Sequence, residues 1–292
     1  MVWTVNHLNE SNIIIFFNTG ELKLIQIDNN NMKTLGKVSN KPNEKTTKGF
    51  GKLVKLNSSR TTIYWKRSNQ EIIRHDFETN IKPKVKQSIE YNIKDKNDYI
   101  IDFDIDERND SLYALSHLGK IYRRDFRRNS SCNGTICIDN ERASNKHFSS
   151  CIRISRDNRF MVVGSFQGGS YESLIMIQLF ELMENEPSSP IIKSLNYKEI
   201  KTEKQEKNDE YIQAIDFNMH KGDQLFLSVF LRYSCKILVF RIVDKSIEGP
   251  VFEKPLETEW INDISYVDNS LFTCFESNTL GKVFFNEEVD DV

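Results

Sequence analysis

Arg123, Arg124, Arg127 and Arg128 form the densest cationic cluster in the chain. Guanidinium groups packed that closely could hold a phosphate or an acidic protein surface. Arg123 and Arg124 are neighbours in a strand-like run, so they point to opposite faces and cannot share one patch. The cluster reads as a strand end in water and as a candidate partner contact. The run Gly49-Phe50-Gly51-Lys52 has the glycines and lysine of a phosphate loop. It lacks the full spacing and the following helix that would let backbone amides cradle an anion. The histidines His7, His75, His117, His147 and His220 are dispersed, and none pairs at metal-ligand spacing. Asp102, Asp104, Asp216 and Asp263 sit in strand-like runs and could hold a divalent cation only if they converged. Sequence spacing shows no such convergence. The expectation is therefore no catalytic centre, no metal and no cofactor.

Composition narrows the class. The chain has 292 residues, 38% of them hydrophobic and 28% charged, which suits a soluble globular protein with a core of its own. A formal net charge of −2 gives no basic field and argues against nucleic acid. The five cysteines, Cys132, Cys137, Cys151, Cys235 and Cys274, are odd in number and scattered, with no Cys-x-x-Cys pair. They read as reduced thiols in a cytoplasmic protein, with nuclear or cytoskeletal association also compatible. The start, Met-Val-Trp-Thr-Val-Asn-His, has no basic then apolar pattern of a secretory signal. No stretch approaches the ~20 apolar residues of a membrane helix, so no membrane insertion is expected.

The elements that must position these residues come from an internal repeat. Each unit has an apolar run, a polar turn, a second apolar run, another turn and a third run. In the third unit these are Ile-Ile-Asp-Phe-Asp-Ile, Ser-Leu-Tyr-Ala-Leu-Ser and Gly-Lys-Ile-Tyr-Arg-Arg-Asp-Phe. The turns before the second runs align at Asn12, Arg60, Asp110, Asn158, Asp223 and Asn269. The spacing is roughly 46 to 50 residues, with one longer gap of about 65, which falls in the range of a four-stranded propeller blade. The runs are rich in Ile, Val, Phe and Tyr and bounded by Asn, Asp, Ser and Gly, as strands are. Ile101, Phe103 and Ile105 alternate with Asp102, Asp104 and Asp106, which predicts a two-faced first strand. Second strands are mostly apolar throughout, as expected for strands packed between neighbouring blades. Fourth strands are predicted in the polar segments Met32–Val38, Val85–Tyr91, Gly134–Asp139, Ile191–Tyr197 and Val251–Leu256. Lys198–Glu210, charged with almost no apolar stripe, reads as a surface loop.

The predicted fold is all-β: a single β-propeller of about six, alternatively seven, four-stranded antiparallel blades. The blades fall near 1–48, 49–98, 99–146, 147–207, 208–258 and 259–292, with loop insertions near 127–146 and 184–210. The fourth unit, Cys-Ile-Arg-Ile-Ser-Arg-Asp-Asn-Arg-Phe-Met-Val-Val-Gly-Ser, resembles a WD repeat in its first strand, turn and second strand. His75-Asp76 and Arg124-Asp125 stand where that family ends its third strand in Trp-Asp. No unit carries the family's Gly-His before its first strand. The resemblance implies a non-enzymatic scaffold or adaptor that binds other proteins through the loops of a rigid frame, as a subunit of a larger complex. The sixth unit stops short, which is similar to open propellers of coat and nuclear-pore scaffolds and implies a partner donating a strand or blade. The alternative reading is a six-bladed propeller hydrolase with a channel metal ion.

Overall fold

Runs of β-branched and aromatic residues fill pleated surfaces well, and Asn, Asp and Gly supply the turn conformations between them. In the computed structural model of the chain these runs are strands. It describes residues 2–9, 12–17, 21–26, 32–37, 54–57, 59, 61–77, 83–91, 93, 98–127, 134–137, 147–168, 172–183, 192–203, 209–219, 224–256, 261–267, 270–275 and 280–283. The chain divides into two compact units, Met1–Ile136 and Cys137–Val292.

The first unit holds three sheets, each a meander in chain order. The first is β1 (Val2–Asn9), β2 (Asn12–Phe17), β3 (Glu21–Gln26) and β4 (Met32–Lys37). The second is β5 (Val54–Leu56), β6 (Thr62–Ser68), β7 (Glu71–Phe77) and β8 (Pro83–Glu90). The third is β9 (Ile100–Asp106), β10 (Ser111–Ser116), β11 (Lys120–Asp125) and β12 (Gly134–Cys137). The second unit continues with β13 (His147–Ile154), β14 (Phe160–Gly168), β15 (Glu172–Leu182) and β16 (Ile192–Glu203). Next come β17 (Ile212–Met219), β18 (Leu225–Leu231), β19 (Lys236–Val243) and β20 (Ser246–Pro255). Last are β21 (Ile261–Val267), β22 (Ser270–Phe275) and β23 (Leu280–Val283), a sheet of three strands among the described residues. Every pairing is antiparallel between consecutive strands. Consecutive meanders of this kind are the blades of a β-propeller, the all-β class the repeat predicts.

Packing inside the second unit shows why second strands are apolar on both faces. In β18, Leu225, Leu227, Val229 and Leu231 pack with Phe160, Val162, Ile177 and Leu179 of the fourth blade. Phe230 turns the other way and packs with Ile237, Val239, Ile264 and Leu271, which brings in the sixth blade. One strand thus feeds two cores, and apolar residues dominate both faces, with Ser228 buried between Phe226 and Phe230. In the first unit Tyr64, Ile72 and Ile89 of the second blade pack with Phe103, Leu112 and Tyr122 of the third.

The first strands carry a recurrent irregularity. Pairing between first and second strands slips by one residue at Trp3, Ile101, Ser150, Gln213 and Asn262. Each is a bulge in the first half of the strand, at the second residue in all but β13, and such bulges bend and twist a strand locally. The repeat is therefore visible in backbone geometry as well as in residue pattern. Turn chemistry agrees with it. Asp110 and Asn158, two of the aligned turn positions, adopt φ of 44° and 55°, a region that Asp and Asn tolerate best among side-chain-bearing residues.

One expectation changes. The charged segment read as a loop is strand as far as Glu203, because β15 is long and β16 pairs along all of it, up to Glu172↔Glu203. Half-buried Asn196, Lys198, Ile200 and Thr202 alternate there with exposed Tyr197, Glu199 and Lys201, the pattern of an outer strand whose charges discourage edge pairing. In β9 the acidic face is buried along with the apolar one: all seven residues of the strand are buried.

In β20 the chain must bend around a bulge opposite Val239 and Arg241. Gly249 sits there at φ +103°, and an added Cβ would lie 2.4 Å from the Val251 nitrogen. Gly249→Ala is expected to lose about 2 kcal/mol of stability through backbone strain, read as a lowered urea midpoint at unchanged m-value.

Candidate functional site

In each of two blades an acidic side chain fixes a turn in the same way. Asp98-Tyr99-Ile100 leads into β9, and Glu210-Tyr211-Ile212 leads into β17. The acidic side chain lies one residue before the aromatic one, where it reaches the turn between the second and third strands of its own blade. In the third blade the Leu118 and Tyr99 amides donate to Asp98 Oδ1, each at 3.0 Å. Lys120 Nζ stands 3.5 Å from Asp98 Oδ2. In the fifth blade the Tyr233 amide donates to Glu210 Oε1 at 2.7 Å and the Ser234 amide to Oε2 at 2.6 Å. The Tyr211 amide also donates to Oε1, at 3.2 Å. The backbones match too: His117 N–H donates to the Tyr99 carbonyl at 2.9 Å, and Arg232 N–H to the Tyr211 carbonyl at 3.0 Å. Both carboxylates are buried, Glu210 completely. A buried carboxylate is tolerable because charge-assisted bonds from backbone amides replace its hydration.

The aromatic residue of each triplet packs on the turn that the carboxylate holds. Tyr99 stacks on His117 with centroids 4.9 Å apart and planes at 10°. Tyr211 meets Tyr233 edge-on at 5.7 Å and also packs on Phe166, which packs on Phe148. Tyr99, His117, Tyr211 and Tyr233 are all half-buried, so part of each ring faces solvent. The Glu210 amide donates to the buried Ser173 hydroxyl at 2.8 Å, which fixes this end of the fifth blade to β15 of the fourth. The arrangement holds loops rigidly and presents aromatic edges.

Burial pushes His117 below the ordinary imidazole range, and the nearby Asp98 charge opposes that only partly. The folded state therefore takes up its proton at a lower pH than the unfolded chain does. As pH falls through about 6.5 the unfolded state binds more protons, so stability is lost below that pH and levels off below the folded-state value. His117→Phe keeps the stack and removes this titration. Its urea midpoint is expected to fall less than that of the wild type between pH 7.5 and 5.5.

The arginine cluster divides. Arg123 is buried, donating to the Ser111 hydroxyl at 2.8 Å and reaching Asp125 at 3.4 Å. Arg124 is half-buried. Arg127 is exposed and folds back on Asp125, through its amide at 3.0 Å and Nε at 3.5 Å. Arg128 lies outside the described residues. The inward Arg–Asp pair repeats one blade earlier. Arg74 Nε donates to Asp76 at 2.9 Å, and the Thr62 hydroxyl to the same oxygen at 2.8 Å. Thr62↔Asp76 and Ser111↔Asp125 are equivalent register positions.

Of the first-strand acids, Asp102 and Asp104 are wholly buried in β9 and Asp104 pairs with Lys55 of β5. Asp216 is half-buried in β17. The Asp263 side chain lies outside the described residues. Among the described residues no three His, Cys, Asp or Glu side chains are grouped to hold a metal ion, and no helix is long and apolar enough to cross a membrane. Gly49-Phe50-Gly51-Lys52 lies outside the described residues.

No protein-family model matches the chain. No curated protein matches it either. A solved propeller is similar to it over nearly its full length. This is the beta-propeller domain of Cps50 (Swd1) from Myceliophteria thermophila, 9% identical, with a TM-score of 0.49. The match covers 94% of this chain and 93% of that one.

Proposed function

We propose that this chain is a non-enzymatic protein-interaction scaffold whose binding loops include the turn that Glu210 holds in the fifth blade and, in the other unit, the turn that Asp98 holds in the third. The observation that carries the reading is the pair of buried carboxylate latches. A loop fixed before binding loses little entropy when a partner arrives, and aromatic edges are the side chains that contribute most at protein interfaces. Tyr211 and Tyr233 in the fifth blade, and Tyr99 and His117 in the third, offer such edges. Asp98 and Glu210 occupy the lead-in position that Gly-His fills in WD repeats, which supports reading the chain as a divergent repeat of that type. Arg127 is the described member of the arginine cluster open to an acidic partner.

The test is affinity purification of the tagged full chain from its native cell, with crosslinking and mass spectrometry. The expected result is a stoichiometric protein partner, crosslinked near Tyr211 and Tyr233 and lost on Tyr233→Ala at unchanged circular dichroism. Recovery of the chain alone as a monodisperse monomer overturns the reading. A stoichiometric Ca²⁺ or Zn²⁺ with hydrolytic turnover would favour the propeller hydrolase instead.

A further inference from the structure

We draw no further inference here: the strongest candidate, the face of the fourth blade where half-exposed Leu174 and Met176 and the 48% exposed Tyr197 flank a cleft of about 230 Å³ bounded by Gln167, Gly168 and Lys201, is a partly apolar surface on which nothing in the structure shows what covers it.

Discussion

Glu210→Ala is expected to destabilise the second unit by about 3 kcal/mol, with the loss concentrated at one turn. The carboxylate accepts from three backbone amides, Tyr211, Tyr233 and Ser234, in a setting with no exposed surface. Truncation removes both acceptor oxygens and leaves three half-buried amide donors, which costs about 1–3 kcal/mol for each one that water cannot reach. Some relaxation of the turn keeps the total below the simple sum. Glu210→Gln separates charge from shape. It keeps one acceptor oxygen but turns an amide NH₂ toward a backbone N–H, so roughly half the loss is expected. The global measure is the urea midpoint. The local one is hydrogen exchange at Tyr233 and Ser234, which should quicken in Glu210→Gln while the amides of β18 keep their protection. Unchanged exchange at those two amides would show that the carboxylate does not hold the turn. Asp98→Ala should act the same way at Leu118, with Lys120 left beside the gap.

Strand identity was legible because each blade solves the same problem with the same side chains. Phe226 and Phe230 alternate with Leu225, Leu227, Val229 and Leu231 along β18, and both sets have a neighbouring core to fill. A strand with two hydrophobic faces announces its position between blades. Even the weakly patterned fourth strands were legible, since the repeat leaves room for one in each gap. The stretch beyond Tyr197 was not. Lys198, Glu199 and Lys201 read as loop because strand formation there depends on a tertiary partner, the long β15, rather than on the segment's own preference.

The latches lay in plain sight as Asp98-Tyr99-Ile100 and Glu210-Tyr211-Ile212. An acid–aromatic–isoleucine triplet that opens a first strand was the signal that could have found them. The family resemblance points to Gly-His at that position and so draws no attention to an acid there. The bulges had no comparable signal. Trp3, Ile101, Ser150, Gln213 and Asn262 share no chemistry, since a bulge is a demand of backbone twist that many side chains meet. Arg123 was misplaced for a related reason. A strand end rich in arginine suggests water, but register places Arg123 opposite Tyr113, beside the inward pair of Ser111 and Asp125. Composition reports what a residue prefers, and register decides what it meets.

Phe240→Ala should produce the larger loss, about 3–5 kcal/mol, because it empties the core shared by the fourth and fifth blades. Phe240 is fully buried, paired with Leu227 across β18, and packed among residues that include Ile177, Leu179, Leu227 and Leu238. It also stands at the β19–β20 bulge, where Val239 and Arg241 pair with β20 and Phe240 does not. Backbone there has less pairing to resist collapse, so some of the cavity should close, which favours the lower half of the range. Phe240→Leu keeps most of the volume and should cost about 1–1.5 kcal/mol. Tyr197→Ala, on the exposed face of β16, is the matched control and should stay within about 0.5 kcal/mol. For a domain of this size the Phe240→Ala midpoint should fall by about 10 °C in a thermal melt. If the fourth and fifth blades fold as one cooperative block, near-ultraviolet dichroism and hydrogen exchange in β14 and β18 should both report that same transition. Separate transitions at β14 and β18 would mean that the shared core does not couple the two blades.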